Sequence, residues 1–163
     1  MEPIADPPLW AAALEASRVG VAMRQSAVAY PLANLVHLLG LVLLVGPILL
    51  LDLRLLGFGK AVAVDDAARL LTPFAGVGLA LLVVTGPLLF AADARALSTN
   101  TLLLWKLAGA ALGLANALAF RALWRSRYPF WDQGPPVAAR AQALGSIGLW
   151  LGVAALGRLI AYV

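Results

Sequence analysis

Residues 31–51 read PLANLVHLLGLVLLVGPILLL, twenty-one positions without a formal charge. A helix of about 20 such residues, rising 1.5 Å at each, crosses the roughly 30 Å of hydrocarbon in a bilayer. Pro31 suits the opening turn, where its missing N–H would have had no helical acceptor anyway. The stretch therefore reads as a membrane span, and Asp52-Leu53-Arg54 reads as its boundary with water. Asp52 and Arg54 are two residues apart and do not face each other on a helix, so each is expected to pair with another element.

Three further runs have the same character, at residues 70–92, 101–124 and 141–163. The fold class that follows is all-α, an integral membrane four-helix bundle. Pro47, Pro73 and Pro87 fall inside or at the edges of these spans, where a kink is tolerated if neighbours satisfy the freed carbonyls. Ahead of the spans, residues Pro8 to Arg18 read as a short amphipathic helix at the interface, anchored by Trp10. The organisation expected is a tail with its interfacial helix at 1–29 and the four-span domain at 30–163. The opening Met1-Glu2-Pro3-Ile4-Ala5-Asp6 is acidic and lacks a basic n-region, so a retained tail is expected rather than a signal peptide.

Composition agrees with this reading. Of 163 residues, 63% are hydrophobic and 12% charged, and the mean hydropathy is +0.91. A soluble domain carries about 25% charge because water must wet its surface. Disorder, a soluble enzyme and a nucleic-acid-binding domain are thereby poor readings; the principal partner is the lipid bilayer. No cysteine is present. This excludes disulfides, thiolate metal sites, iron–sulfur clusters and cysteine nucleophiles.

The net charge of +4 reflects basic loops rather than a polyanionic partner. Arg54, Lys60, Arg69, Arg121, Arg125, Arg127 and Arg140 lie in or beside the first and third connections. Arg18, Arg24 and Arg95 lie in the tail and the second. Seven against three places the first and third connections in the cytoplasm by the positive-inside rule. Both termini then face outward, to the periplasm if the membrane is a bacterial inner membrane. The third connection also carries Tyr128, Phe130 and Trp131 beside Gly134-Pro135-Pro136. These read as an aromatic belt at the interface rather than a docking loop.

Small residues mark close helix approach, since lipid supplies no hydrophobic drive for association. Gly109 and Gly113 form such a pair in the third span, and Gly148 and Gly152, extended by Gly145, form one in the fourth. Packing within the bundle is the first expectation for these faces, and a dimer the second. The oligomeric state is not legible.

The polar residues inside the spans carry what is readable of function, because an ionisable group in hydrocarbon costs several kcal/mol and faces a partner or a cavity. Tyr30, Asn34 and His37 share one face of the first span. Thr85 is in the second, with Asp93 at its outer lip. Lys106 opens a stripe on the third that continues through Gly109, Gly113 and Asn116. Arg158 and Tyr162 share a face of the fourth. His37, Lys106 and Arg158 lie at about the same depth, roughly 7–9 Å from the outer ends of their spans at 1.5 Å per residue. Together they outline an outward-facing polar pocket suited to an anionic or carbonyl-bearing ligand. The competing structural reading has Lys106 and Arg158 snorkelling to the interface, with Asp93 as an ion-pair partner. As the sole histidine, His37 would be the one metal ligand if haem were bound, and bis-histidine ligation within one chain is excluded. No catalytic constellation, metal-ligand spacing, phosphate loop or internal repeat is present.

The motifs Tyr30-Pro31, His37-Leu38-Leu39-Gly40, Leu43-Leu44-Val45-Gly46 and Asp52-Leu53-Arg54-Leu55-Leu56-Gly57 resemble the signature of an uncharacterised family of small bacterial inner-membrane proteins. Leu89-Phe90-Ala91-Ala92-Asp93, Trp105-Lys106 and Gly157-Arg158-Leu159-Ile160-Ala161-Tyr162 are similar to it too, so the resemblance covers about residues 20–163. It implies a four-span membrane fold and no particular activity, the family being a domain of unknown function. The resemblance implies that members often carry a histidine just after the phenylalanine of the third span. Arg121 stands there in this chain, which weakens a two-histidine redox scheme. The arrangement also loosely resembles small four-helix cytochrome b-type and copper-resistance membrane proteins.

The leading functional reading is a membrane subunit or binding module, not an enzyme on its own, that works with other membrane or periplasmic subunits. The alternative is a redox membrane protein binding haem b or a quinone through His37. A small transporter or channel is the third reading.

Overall fold

The computed structural model describes residues 7–131 and 134–162. The expectations for the acidic hexapeptide at 1–6 and for Val163 at the end of the fourth span lie outside the described residues. Among the described residues every regular element is helical. The short helices α1 (Leu9–Glu15) and α2 (Arg18–Gln25) precede α3 (Ala29–Leu56) and α4 (Val64–Ala92). A single turn, α5 (Ala94–Ser98), leads into α6 (Thr101–Trp124). A 3-10 segment (Arg125–Phe130) then precedes α7 (Val137–Leu159), and a last 3-10 turn closes at Tyr162. Helices α3, α4, α6 and α7 are long and apolar enough to cross a membrane. Large apolar side chains such as Leu35, Val42, Val83 and Leu112 stand more than half exposed on their outer faces, as lipid permits.

Two elements depart from the sequence reading. The N-terminal segment expected as one interfacial helix is two helices. Ser17 adopts an extended backbone and its hydroxyl accepts from the Gly20 N–H at 3.3 Å, which starts a new helix at Arg18. Both helices fold back over the end of α4. Trp10 stacks on Phe90 with centroids 6.1 Å apart. The Arg24 guanidinium donates to the carbonyls of Ala92 at 2.9 Å and Glu15 at 2.8 Å. The Glu15 carboxylate accepts in turn from the Arg95 N–H at 2.9 Å. Gly20 permits this, since a Cβ there would lie 2.8 Å from the Ala91 carbonyl oxygen.

Helix α3, second, does not stop at Leu51. It continues through Asp52-Leu53-Arg54 and ends at Leu56. Gly57 terminates it with φ of 106°, a left-handed conformation that costs glycine least. The N–H of Gly57 returns to the Arg54 carbonyl and that of Phe58 to Leu53, which satisfies the last carbonyls of the helix. Asp52 and Arg54 therefore lie within the helix and are packed by protein; they are only 6% and 8% exposed. The physical reason is that the apolar run resumes at Leu55 and Leu56, so the turn carrying the charges is packed on both sides. As expected of two charges at i and i+2, each turns to a different element. Ser146 of α7 faces the Asp52 carboxyl, and Arg54 Nε donates to the Val62 carbonyl.

Helix pairing is unequal. α3 and α4 are the most intimate pair, α7 packs on α3 and α6, and α4 and α6 barely touch. The backbones of α3 and α4 approach closely at Gly40 and Gly78. A Cβ on Gly78 would meet the Gly40 carbonyl oxygen at 2.6 Å, with the Leu44 backbone nitrogen nearer still. The four spans thus form a ring left open along the α4–α6 side.

The third connection closes one end of this ring. Tyr128 and Trp131 are buried, while Phe130 stays 81% exposed. Trp131 lies 5.5 Å from both the Trp124 and Tyr128 rings and meets Phe120 edge-on at 6.3 Å. These rings join Leu55, Val64, Ala139 and Ala143 in the main buried cluster. Two of the three residues read as an interfacial belt are therefore a packed cap. A ring placed between α3, α4, α6 and α7 loses more apolar surface there than at the membrane surface.

Candidate functional site

The residues expected to outline the outward pocket are distributed unevenly. His37, half-buried on α3, reaches across to α4, where its Nδ1 lies 2.8 Å from the Thr85 hydroxyl. Thr85 is itself buried, and its hydroxyl donates to the Leu81 carbonyl at 2.7 Å. A hydroxyl has one proton to give. With that proton committed to Leu81, the Thr85 oxygen must accept, and His37 must carry its proton on Nδ1. The neutral ring then presents the Nε2 lone pair away from Thr85, and no described group bonds it. Gly86 gives the imidazole room, since a Cβ there would stand 3.7 Å from His37 Cε1.

Lys106, from α6, is near enough to act electrostatically on His37. Its aliphatic stem runs along Gly157 of α7, where a Cβ would lie 3.4 Å from the Lys106 Cε. Helices α3, α4, α6 and α7 therefore all contribute to the surroundings of His37 and Lys106.

The remaining candidates stand apart. Arg158 is exposed and turns to its own helix end. Its guanidinium donates to the Tyr162 hydroxyl and lies 4.7 Å from the centroid of that ring. Tyr30, Asn34 and Asp93 are exposed. Asp93 forms no ion pair with Lys106 or Arg158 among the described residues; it serves as the junction of α4 and α5, its carbonyl accepting from Leu97.

The two glycine stripes differ. Gly109 and Gly113 lie against α7, where a Cβ would meet Val153 at 2.9 Å and the Trp150 ring at 3.0 Å. At Gly145, Gly148 and Gly152 an added Cβ would meet nothing within 4 Å.

A second polar cluster was not legible as a site. At the opposite end of the spans, a crevice of about 210 Å³ opens between α4 and α6. Asp52, Thr72, Asn116, Arg121, Tyr128 and Ser146 supply its polar lining. Beside it, Gln142 of α7 accepts from the Trp124 indole N–H at 3.0 Å and donates to the Asn116 carbonyl at 3.3 Å, clamping α6 to α7. The signal that could have found Asp52 was the resumption of Leu55 and Leu56 beyond it, which makes the charge internal to the helix. Nothing in the sequence pairs it with Ser146, ninety-four positions on.

One family model, described as "Family of unknown function (DUF6644)", matches residues 10–163. The chain belongs to that family. The match takes in both short N-terminal helices from Trp10 onward and all four long apolar helices of this chain. No curated protein and no solved structure matches the chain. In this DUF6644 member, the polar groups set within the apolar helices are the chemistry available for function.

Proposed function

We propose that the chain is a bacterial inner-membrane binding module or subunit whose outer leaflet holds an anionic or carbonyl-bearing ligand at His37 and Lys106. The observation that carries this reading is the His37–Thr85 hydrogen bond with Lys106 alongside. An imidazole fixed by its Nδ1–H offers one directed acceptor, and the ammonium offers a charge for a carbonyl or carboxylate. Lys106 has no described carboxylate partner, which favours a ligand that brings one. The Thr85 contact equally supports the haem b or quinone reading, since a ligating histidine is oriented by the partner of its other nitrogen. Haem would take Nε2 as its single protein ligand from this chain, with Lys106 set to pair a propionate.

The test is titration of the purified protein in nanodiscs with a short-tailed benzoquinone, with octanoate and with haem b. At least one should bind, with a Soret band marking haem. Thr85→Val should weaken that binding about tenfold or more, as loss of an orienting partner does, while Asp93→Asn leaves it unchanged. If Thr85→Val and Lys106→Met both bind like the parent protein, the reading is wrong.

Orientation is a separate expectation, resting on the seven-to-three division of basic residues. Alkaline phosphatase fused after Val163 should be active, placing the C-terminus in the periplasm. Activity only of a cytoplasm-restricted reporter at that position would invert the topology and put the His37 site on the inner side.

A further inference from the structure

The crevice between α4 and α6 contains a buried carboxylate oxygen with nothing to bind. Asp52 is 6% exposed, and its Oδ2 has no hydrogen-bond partner. Leaving such an oxygen desolvated is unfavourable unless a donor reaches it. Its neighbours do not fill the need. Ser146 faces the carboxyl but leaves Oδ2 unbonded. The Thr72 hydroxyl is spent on the Ala68 carbonyl at 2.6 Å. Asn116, Arg121 and Tyr128 also line the crevice, and none of them bonds Oδ2; the rest of the wall is apolar, with Leu44, Pro47, Ile48, Leu79, Leu114 and Phe120 around it.

We infer that this crevice is a binding site, entered sideways from the bilayer between α4 and α6, for a small lipophile whose hydroxyl donates to Asp52 Oδ2. The access route follows from the open side of the ring, where α4 and α6 barely touch. The size fits a substituted ring, because a cavity of about 150 Å³ already admits benzene, and this one holds about 210 Å³. Charge narrows the head group. An ammonium would meet Arg121, which lines the same crevice, and Arg125, which acts on Tyr128. A carboxylate would face Asp52 itself. A neutral hydroxyl satisfies the carboxylate and leaves Arg121 free to bond a second oxygen. A metal ion is a poor occupant, since no group of three His, Cys, Asp or Glu residues exists among the described residues. The site is distinct from the one at His37. Fifteen positions of α3 separate His37 from Asp52, about 22 Å along the helix.

The experiment uses the whole chain in phosphatidylcholine nanodiscs, whose headgroups carry no hydroxyl, with 4-hexylphenol as the probe and 4-hexylanisole as its methylated control. The phenol should bind about tenfold or more tightly than the ether, the difference expected when a buried oxygen left unbonded gains a donor. In Asp52→Leu the two should bind alike. Ala75→Leu, which adds bulk to the crevice wall and leaves the carboxylate in place, should weaken both. That variant also keeps the test open if Asp52→Leu fails to fold. Repeating the titration in phosphatidylglycerol, whose headgroup hydroxyls compete at the same oxygen, identifies the source. A lowered apparent affinity assigns the site to a bilayer headgroup, and an unchanged one assigns it to a free lipophile. Equal binding of phenol and ether to the parent protein overturns the inference, as does a phenol preference that survives in Asp52→Leu or binding untouched by Ala75→Leu.

Discussion

Gly78→Ala should unfold the bundle at markedly lower temperature or denaturant than the parent protein, by about 3 kcal/mol or more, at the top of the range for overpacked sites. The added methyl group would sit against backbone, not against a side chain that can rotate away. The Gly40 carbonyl oxygen is at 2.6 Å and the Leu43 carbonyl carbon at 2.7 Å. The helices must separate to admit it, and separation loosens the most intimate pair in the fold. Gly76→Ala supplies the control two positions away. A Cβ at Gly76 meets nothing within 4 Å, so only the helix preference for alanine remains, a gain of up to about 1 kcal/mol. Equal midpoints for the two variants would mean that α3 and α4 do not meet at Gly78.

Trp131→Ala should cost about 3–5 kcal/mol, the usual range for emptying a buried tryptophan site. Trp131 is 6% exposed and touches three other rings that bridge α6 and the third connection. Its loss would open a cavity where Leu55, Val64 and Ala139 also converge. The neighbouring Phe130→Ala should change stability by less than about 0.5 kcal/mol, as exposed substitutions do, because Phe130 is 81% exposed. Matched losses for the two would mean that the segment does not fold back on the bundle and that Trp131 lies at the membrane surface. A thermal-denaturation series in one detergent reads both pairs of variants.

The candidate sites show how unevenly such features can be read. His37, Thr85 and Lys106 were all visible in the sequence as polar residues in apolar spans, because each breaks a run of aliphatic side chains and carries a known cost there. Their depths were also calculable, since 1.5 Å per residue needs no tertiary information. The direction in which each side chain turns was not. His37 meets Thr85 because α3 and α4 cross at Gly40 and Gly78, and Arg158 turns to Tyr162 on its own helix end. Asp52 is the opposite case. Its charge looked like the end of a span, and only packing by α7 buries it beside the crevice.

The number of spans, the all-helical class and membrane residence were determined by the sequence alone. They depend on length and apolar composition, which are sums over neighbouring residues. Which helices touch depends instead on where a missing side chain on one meets backbone on another, as at Gly78 against Gly40. It also depends on a connecting segment folding back, as Tyr128 and Trp131 do over the end of the ring. Those are relations between residues far apart in the chain, so the open α4–α6 side, and with it the crevice at Asp52, was decided only by the tertiary structure.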